Sequence, residues 1–162
     1  MEKSVKDLLE ILREEFGGEE ADIRTYSPLT LAYIGDGIYD LVIRTLVVRH
    51  GNCQPNKLHK ATSALVKASA QSEMIDRIME ELTEEEVAVY KRGRNAKSYT
   101  MAKNATMKDY RKATGFEALM GYLYLKNETG RMVSLIKKGL PGDWSQKTET
   151  HTEERAGTDC EI

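Results

Sequence analysis

The sequence is poor in residues that staple a chain or anchor it in a membrane. Its 162 residues include two cysteines, Cys53 and Cys160, far apart and neither in a CxxC pair. That argues against a zinc site or a disulfide framework. No run of 18 apolar residues is free of charge, because Asp36, Asp40 and Arg44 interrupt the longest. A membrane-spanning helix is therefore not expected, nor a membrane partner. The N-terminus is acidic and amphipathic rather than basic and then apolar, so it does not read as a secretory signal. The cytoplasm is the expected location. His50 and His59 have no obvious catalytic partners, and Ser63 and Ser98 lack the context of a nucleophile elbow. No β-period alternation persists and no internal repeat is found, so an all-α fold of about six or seven helices is expected.

What is present suits one globular domain, with 40% hydrophobic and 31% charged residues. The net charge of −2 conceals an asymmetry. From position 145 onward two basic residues face five acidic ones, a net of −3 that leaves +1 on the body. Between positions 88 and 112, Lys91, Arg92, Arg94, Lys97, Lys103, Lys108, Arg111 and Lys112 are opposed by Asp109 alone, eight against one, or +7. An excess of one sign on that scale points to a polyanionic partner.

The organisation reads as follows. Val5, Leu8, Leu9, Ile11, Leu12 and Phe16 form an amphipathic helix ending at Gly17-Gly18, and residues 1–26 comprise it and an acidic connector. Ser27-Pro28 is a favourable helix start, and a helix over 29–48 is expected to stop near His50-Gly51. Apolar residues surround almost its whole circumference, so it should be buried on most sides. Pro55 begins a long helical stretch, 56–81, with Leu58, Leu65, Ile75, Ile78 and Met79 as core contacts. Lys60, Ser63, Lys67 and Gln71 form a polar stripe along it, which reads as a wet surface. Thr83 and Glu86 fit a capping box, although the acidic run 81–86 otherwise looks like surface charge. The helix they open runs into a basic loop reaching about Thr106. Another helix, 108–127, follows, then Gly130 as a separator and a last helix, 132–138. Residues 145–162 form a Thr- and Glu-rich acidic tail with too little apolar content to fold. The body, 27–144, is the domain proper.

Two carboxylates stand apart. Asp36 lies between Gly35 and Gly37 in the middle of the 29–48 helix, and Glu117 lies in Gly115-Phe116-Glu117-Ala118-Leu119-Met120-Gly121. An ionised carboxylate is costly to bury unless paired, hydrogen-bonded or bound to metal. Flanking glycines weaken a helix by roughly 1 kcal/mol each, which suggests that something approaches the backbone closely here. Brought side by side, the two would repel unless a cation sat between them. Oxygen-only ligands favour Mg2+ or Mn2+, and Mg2+ commonly uses one or two carboxylates with water and substrate phosphate. With a basic loop in the same chain, a phosphodiester is the natural substrate. Capping or salt-bridge roles for the two carboxylates remain the alternative. Asp40 precedes Arg44 by one turn, the spacing of an ordinary ion pair. In the basic loop, Arg92, Arg94 and Lys97 suit nucleic-acid phosphates, with Asn95 and Ser98 as neutral hydrogen-bonding groups.

These motifs resemble ribonuclease III. YIGDGIYD, residues 33–40, is similar to the signature helix of that family, and FEALMGYLYL, residues 116–125, to its second catalytic helix. PNKLHK (55–60), KRGRNAKS (91–98) and YRKATGFEALMGYLYL (110–125) resemble runs in the Mini-III ribonucleases, the short bacterial members without a double-stranded-RNA-binding domain. The resemblance covers roughly 29–140, in order and at suitable spacing. It implies an all-α homodimeric endonuclease domain that cuts double-stranded RNA with Mg2+ (or Mn2+), leaving 5′-phosphate and 3′-hydroxyl ends. Asp36 and Glu117 match the family's catalytic and metal-binding residues. The segment around 97–108, with Lys103 and Lys108, matches a loop that enters an RNA groove. The substrate implied is precursor 23S ribosomal RNA, trimmed at both ends with help from a large-subunit ribosomal protein. Full-length ribonuclease III has further carboxylates where this chain has Ala32 and Thr114; threonine at the latter place is also a Mini-III feature. The rival reading is a catalytically silent ribonuclease III-like module that binds structured RNA.

Overall fold

The computed structural model describes residues 6–97 and 106–145 together with Cys160 and Ile162. Among them are eight α-helices, two single-turn 3-10 helices (Ile23–Thr25 and Met79–Glu81) and no strand. The helices are α1 (Leu8–Phe16), α2 (Pro28–Val48), α3 (Pro55–Val66), α4 (Ala68–Ile78), α5 (Glu84–Asn95), α6 (Met107–Leu125), α7 (Thr129–Gly139) and α8 (Gly142–Ser145). The predicted all-α class holds.

Several boundaries follow from local chemistry. Ser27 Oγ accepts from Thr30 N and Pro28 occupies the first turn of α2, satisfying a donor that the helix itself leaves unpaired. Gly51, at φ 111°, takes the chain out of α2. Thr83 and Glu86 form the expected capping box at α5, and Thr106 caps α6 by accepting from Asp109 N. Two expectations fail. The long helix over 56–81 is divided at Lys67, whose extended backbone separates α3 from α4. Between α6 and α7 the turn is made by Asn127, at φ 60°, while Gly130 lies inside α7. Asparagine tolerates the left-handed region better than other side chains do, so a glycine is not needed there.

Helix α6 is the axis of the molecule, buried along most of its length and packed by α2, α4, α5 and α7. Its most extensive contact is with α2, and glycine sets the distance. A Cβ on Gly35 would stand 1.7 Å from the Glu117 carbonyl oxygen, and one on Gly121 would stand 2.0 Å from that of Leu31. The two backbones touch where any side chain would separate them. Tyr39 locks α2 to its surroundings: its ring meets Phe116 edge-on at 5.1 Å, and its hydroxyl donates to the Leu65 carbonyl at 2.8 Å.

Three further corrections concern burial and pairing. Helix α2 is not covered on most sides, since Leu29, Tyr33, Leu41 and Val48 are exposed. Glu86 is not surface charge: it is 4% exposed and accepts from Arg131 at 2.7 and 3.0 Å. Cys53 and Cys160 form a disulfide, 107 residues apart in sequence but 5.1 Å apart at Cα. Spacing along the chain cannot reveal that the far end returns to the α2–α3 connection, where Ile162 packs against the core. The remainder of the predicted acidic tail beyond Ser145 lies outside the described residues.

Candidate active site

The α2–α6 crossing brings Asp36 and Glu117 to one place. Gly35 rests on the backbone of Glu117 itself, so the residue after it in α2 is set beside the carboxylate of α6. Glu117 is largely enclosed. Its carboxyl is pushed up to about 7, first by burial and then by the charge of Asp36, against the lowering effect of a hydrogen bond from Gln71. Asp36, expected to be buried, is exposed in the single chain. Its carboxyl is still raised, first by partial desolvation and then by Asp40. Physically, the more exposed Asp36 ionises first and Glu117 resists adding a second negative charge. Asp40 is otherwise engaged: Arg44 Nε donates to it at 2.7 Å, the ion pair its spacing indicated.

The donor set is all oxygen. Among the described residues no cluster of three or more His, Cys, Asp or Glu side chains forms. The sequence departures agree with that, since Ala32 is buried and Thr114 donates its hydroxyl to the Tyr110 carbonyl at 3.0 Å. Two carboxylates, one of which raises the other's cost of ionisation, fit a hard divalent cation completed by water and phosphate oxygens.

Sequence reasoning misplaced Gln71. Assigned to a wet stripe with Lys60, Ser63 and Lys67, it is 2% exposed while those three are exposed. Its Nε2 donates to the Val66 carbonyl at 2.8 Å and to Glu117 Oε1 at 3.2 Å. The break at Lys67 rotates α4 relative to α3, so a stripe continuous on one helix is split between surface and interior. No sequence signal marked that break.

The basic segment is only partly gathered. A groove of about 590 Å³ between the ends of α5 and α6 is lined by Arg94, Asn95 and Lys108. Arg111, Lys112, Tyr90 and Asp76, none singled out from sequence as site residues, line it too. Lys112 is paired with Asp76 at 2.6 Å, and the Arg94 guanidinium lies 5.7 Å from the centre of the Tyr90 ring. Arg92 and Lys97 are exposed outside this lining. Ser98 and Lys103 lie outside the described residues. Helix α6 contributes to both the groove and the acidic pair; Glu117 follows Arg111 by six positions, about 9 Å along the α6 axis.

Comparison with known proteins points the same way. A family model described as Ribonuclease III domain matches residues 29–128. A Mini-ribonuclease 3 from Clostridium tetani is 51% identical over 130 residues, covering 78% of this chain and 86% of that protein. One from Enterococcus faecalis is 45% identical over 136 residues, covering 83% and 98%. Among solved structures, a crystal structure of a Fusobacterium nucleatum protein superposes with a TM-score of 0.67 at 34% identity. It spans 72% of this chain and 95% of that one.

Proposed function

Since the chain belongs to the ribonuclease III family, among its Mini-ribonuclease 3 members, and is an endoribonuclease, we propose that it cleaves double-stranded RNA at the Asp36–Glu117 pair. The observation that carries this reading is the glycine-mediated crossing that sets two carboxylates of different helices near enough to feel each other's charge. Asp36 and Glu117 would hold a divalent cation, Mg2+ or Mn2+. When bound, such an ion polarises a phosphoryl oxygen and makes water a better nucleophile near neutral pH. Asp36, exposed, meets the substrate side of the site. Glu117, enclosed, is held from behind by Gln71. Hydrolysis would leave 5′-phosphate and 3′-hydroxyl ends.

Arg94, Asn95 and Lys108, in the groove at the start of α6, would take backbone phosphates, with Arg111 beside them and Arg92, Lys97, Ser98 and Lys103 adding to the footprint. Phosphate contacts position a duplex without reading its sequence. A second copy of the chain is the natural cover for the open face of α2. Leu29, Tyr33, Leu41 and Val48 form an exposed apolar row, Tyr33 at 83% exposure. Gly37 lies in the same row, and a Cβ there would meet nothing within 4 Å. A homodimer would place two sites against one duplex, one for each strand. The catalytic domain is then 27–144, with 1–26 an added helix and connector and 145–162 a tail.

The substrate class fits precursor 23S ribosomal RNA, trimmed at its 5′ and 3′ ends in the cytoplasm with a large-subunit ribosomal protein presenting the RNA. A reducing cytoplasm would open the Cys53–Cys160 bond of the structure to two thiols. The test is incubation with long double-stranded RNA, in Mg2+ and in EDTA, at low salt. Discrete products formed only with Mg2+ and bearing 5′-phosphates are expected, followed by mapping on precursor 23S RNA. A mobility shift without cleavage would instead favour the silent RNA-binding module.

A further inference from the structure

Among the described residues, Gln71 Oε1 is the buried side-chain polar atom without a hydrogen-bond partner. A buried acceptor left unmade is costly, and such an atom in a folded protein calls for an explanation. Its orientation is fixed by its neighbours. The Val66 carbonyl can only accept, which fixes the amide nitrogen toward it, and the second hydrogen of that nitrogen reaches Glu117 Oε1. The oxygen is left at the opposite edge of the planar amide. Amide bond lengths place it about 2.2 Å from Nε2, and Nε2 lies 3.2 Å from Glu117 Oε1. The orphaned oxygen is thus no more than about 5.4 Å from the carboxylate, the span of one water hydrogen-bonded to both.

We propose that Gln71 is a positioning residue for the acidic pair: its Nε2 holds the Glu117 carboxylate in place, and its Oε1 accepts a hydrogen bond from a water at the ion site. This rests on the reading of Asp36 and Glu117 as holders of a divalent cation. A water held by such an ion would be a strong donor, which suits an acceptor with no other partner. The break between α3 and α4 serves this arrangement. Gln71 spends one hydrogen on the last carbonyl region of α3 and the other on Glu117, so the joint between two helices fixes the aim of a carboxylate on a third.

The experiment measures Mn2+ binding to the purified full chain by electron paramagnetic resonance, without RNA, for wild type, Asp36→Asn and Gln71→Met. Cleavage kinetics are measured on the same proteins. Methionine preserves the volume of glutamine but neither donates nor accepts as the amide does. Wild type should bind Mn2+ in an Asp36-dependent manner. Gln71→Met should bind about tenfold or more weakly, with kcat reduced and KM little changed. If Gln71→Met does not fold, Gln71→Asn, which keeps the amide but draws it back by one methylene, carries the same comparison. Wild-type affinity and kcat in the substituted protein would reduce Gln71 to a helix-joint residue and overturn the inference alone. A wild type that binds no Mn2+, or binds it without Asp36, would overturn the ion reading itself.

Discussion

Glu117 carries the chemistry of the site into the stability of the protein. Its carboxyl is pushed up to about 7 by burial and by the charge of Asp36, whereas in the unfolded chain it titrates in the ordinary carboxylate range. The folded state therefore favours the protonated form. The resulting stability is fully present below the ordinary carboxyl range and lost as pH rises through about 7. With EDTA present, the melting temperature of wild type should fall from about pH 5 to pH 7 relative to that of Glu117→Gln, which removes the titrating group. Parallel curves would contradict the assigned environment. A cation bound to the ionised form should oppose the loss at the upper end of that range, because it stabilises the state it binds. Gln71 belongs to the same microenvironment but was invisible as such in the sequence. Lys67, one turn before it, and Glu73, two residues after it, are exposed, and the helix break at Lys67 turns it inward.

Between elements, the decisive fact is the contact of α2 with α6 through glycine. Gly35→Ala would drive a methyl group into the Glu117 carbonyl, and backbone cannot swing aside as a side chain can. A loss of at least about 3 kcal/mol is expected, read as a fall in the denaturation midpoint. Gly37→Ala meets nothing within the chain and should retain the fold, so equal damage from both would contradict the crossing described here. Much of this level was legible beforehand. Ser27-Pro28, the Thr83–Glu86 capping box and Thr106 each carry their signal locally, and Asp36 flanked by glycines announced a close approach. The division at Lys67, the turn at Asn127 and the ion pair between Glu86 and Arg131 were not legible. Each depends on what packs against it from elsewhere in the chain. The pairing of Cys53 with Cys160 is the extreme case, because nothing in the spacing of two distant cysteines encodes their meeting.

At the scale of the whole molecule, two surfaces remain to be covered: the apolar row on α2 and the basic groove between α5 and α6. Tyr33→Glu places a charge on the most exposed ring of that row and should convert the proposed homodimer to a monomer in sedimentation velocity while leaving the helical content intact. A mass unchanged by the substitution would remove this row from the proposed dimer contact. Arg94→Gln with Lys108→Gln should weaken binding to duplex RNA and flatten its dependence on salt by about one unit of slope per lost phosphate contact. An unaltered slope would remove the groove from the interface. These surfaces serve the central claim, that a carboxylate pair on α2 and α6 performs the cleavage. The most direct test compares wild type with Asp36→Asn on the same long double-stranded RNA in Mg2+, with binding and melting temperature measured alongside. Asp36→Asn is expected to fold and bind the duplex but not to cut it. Cleavage at the wild-type rate by Asp36→Asn would place the reaction elsewhere in the molecule.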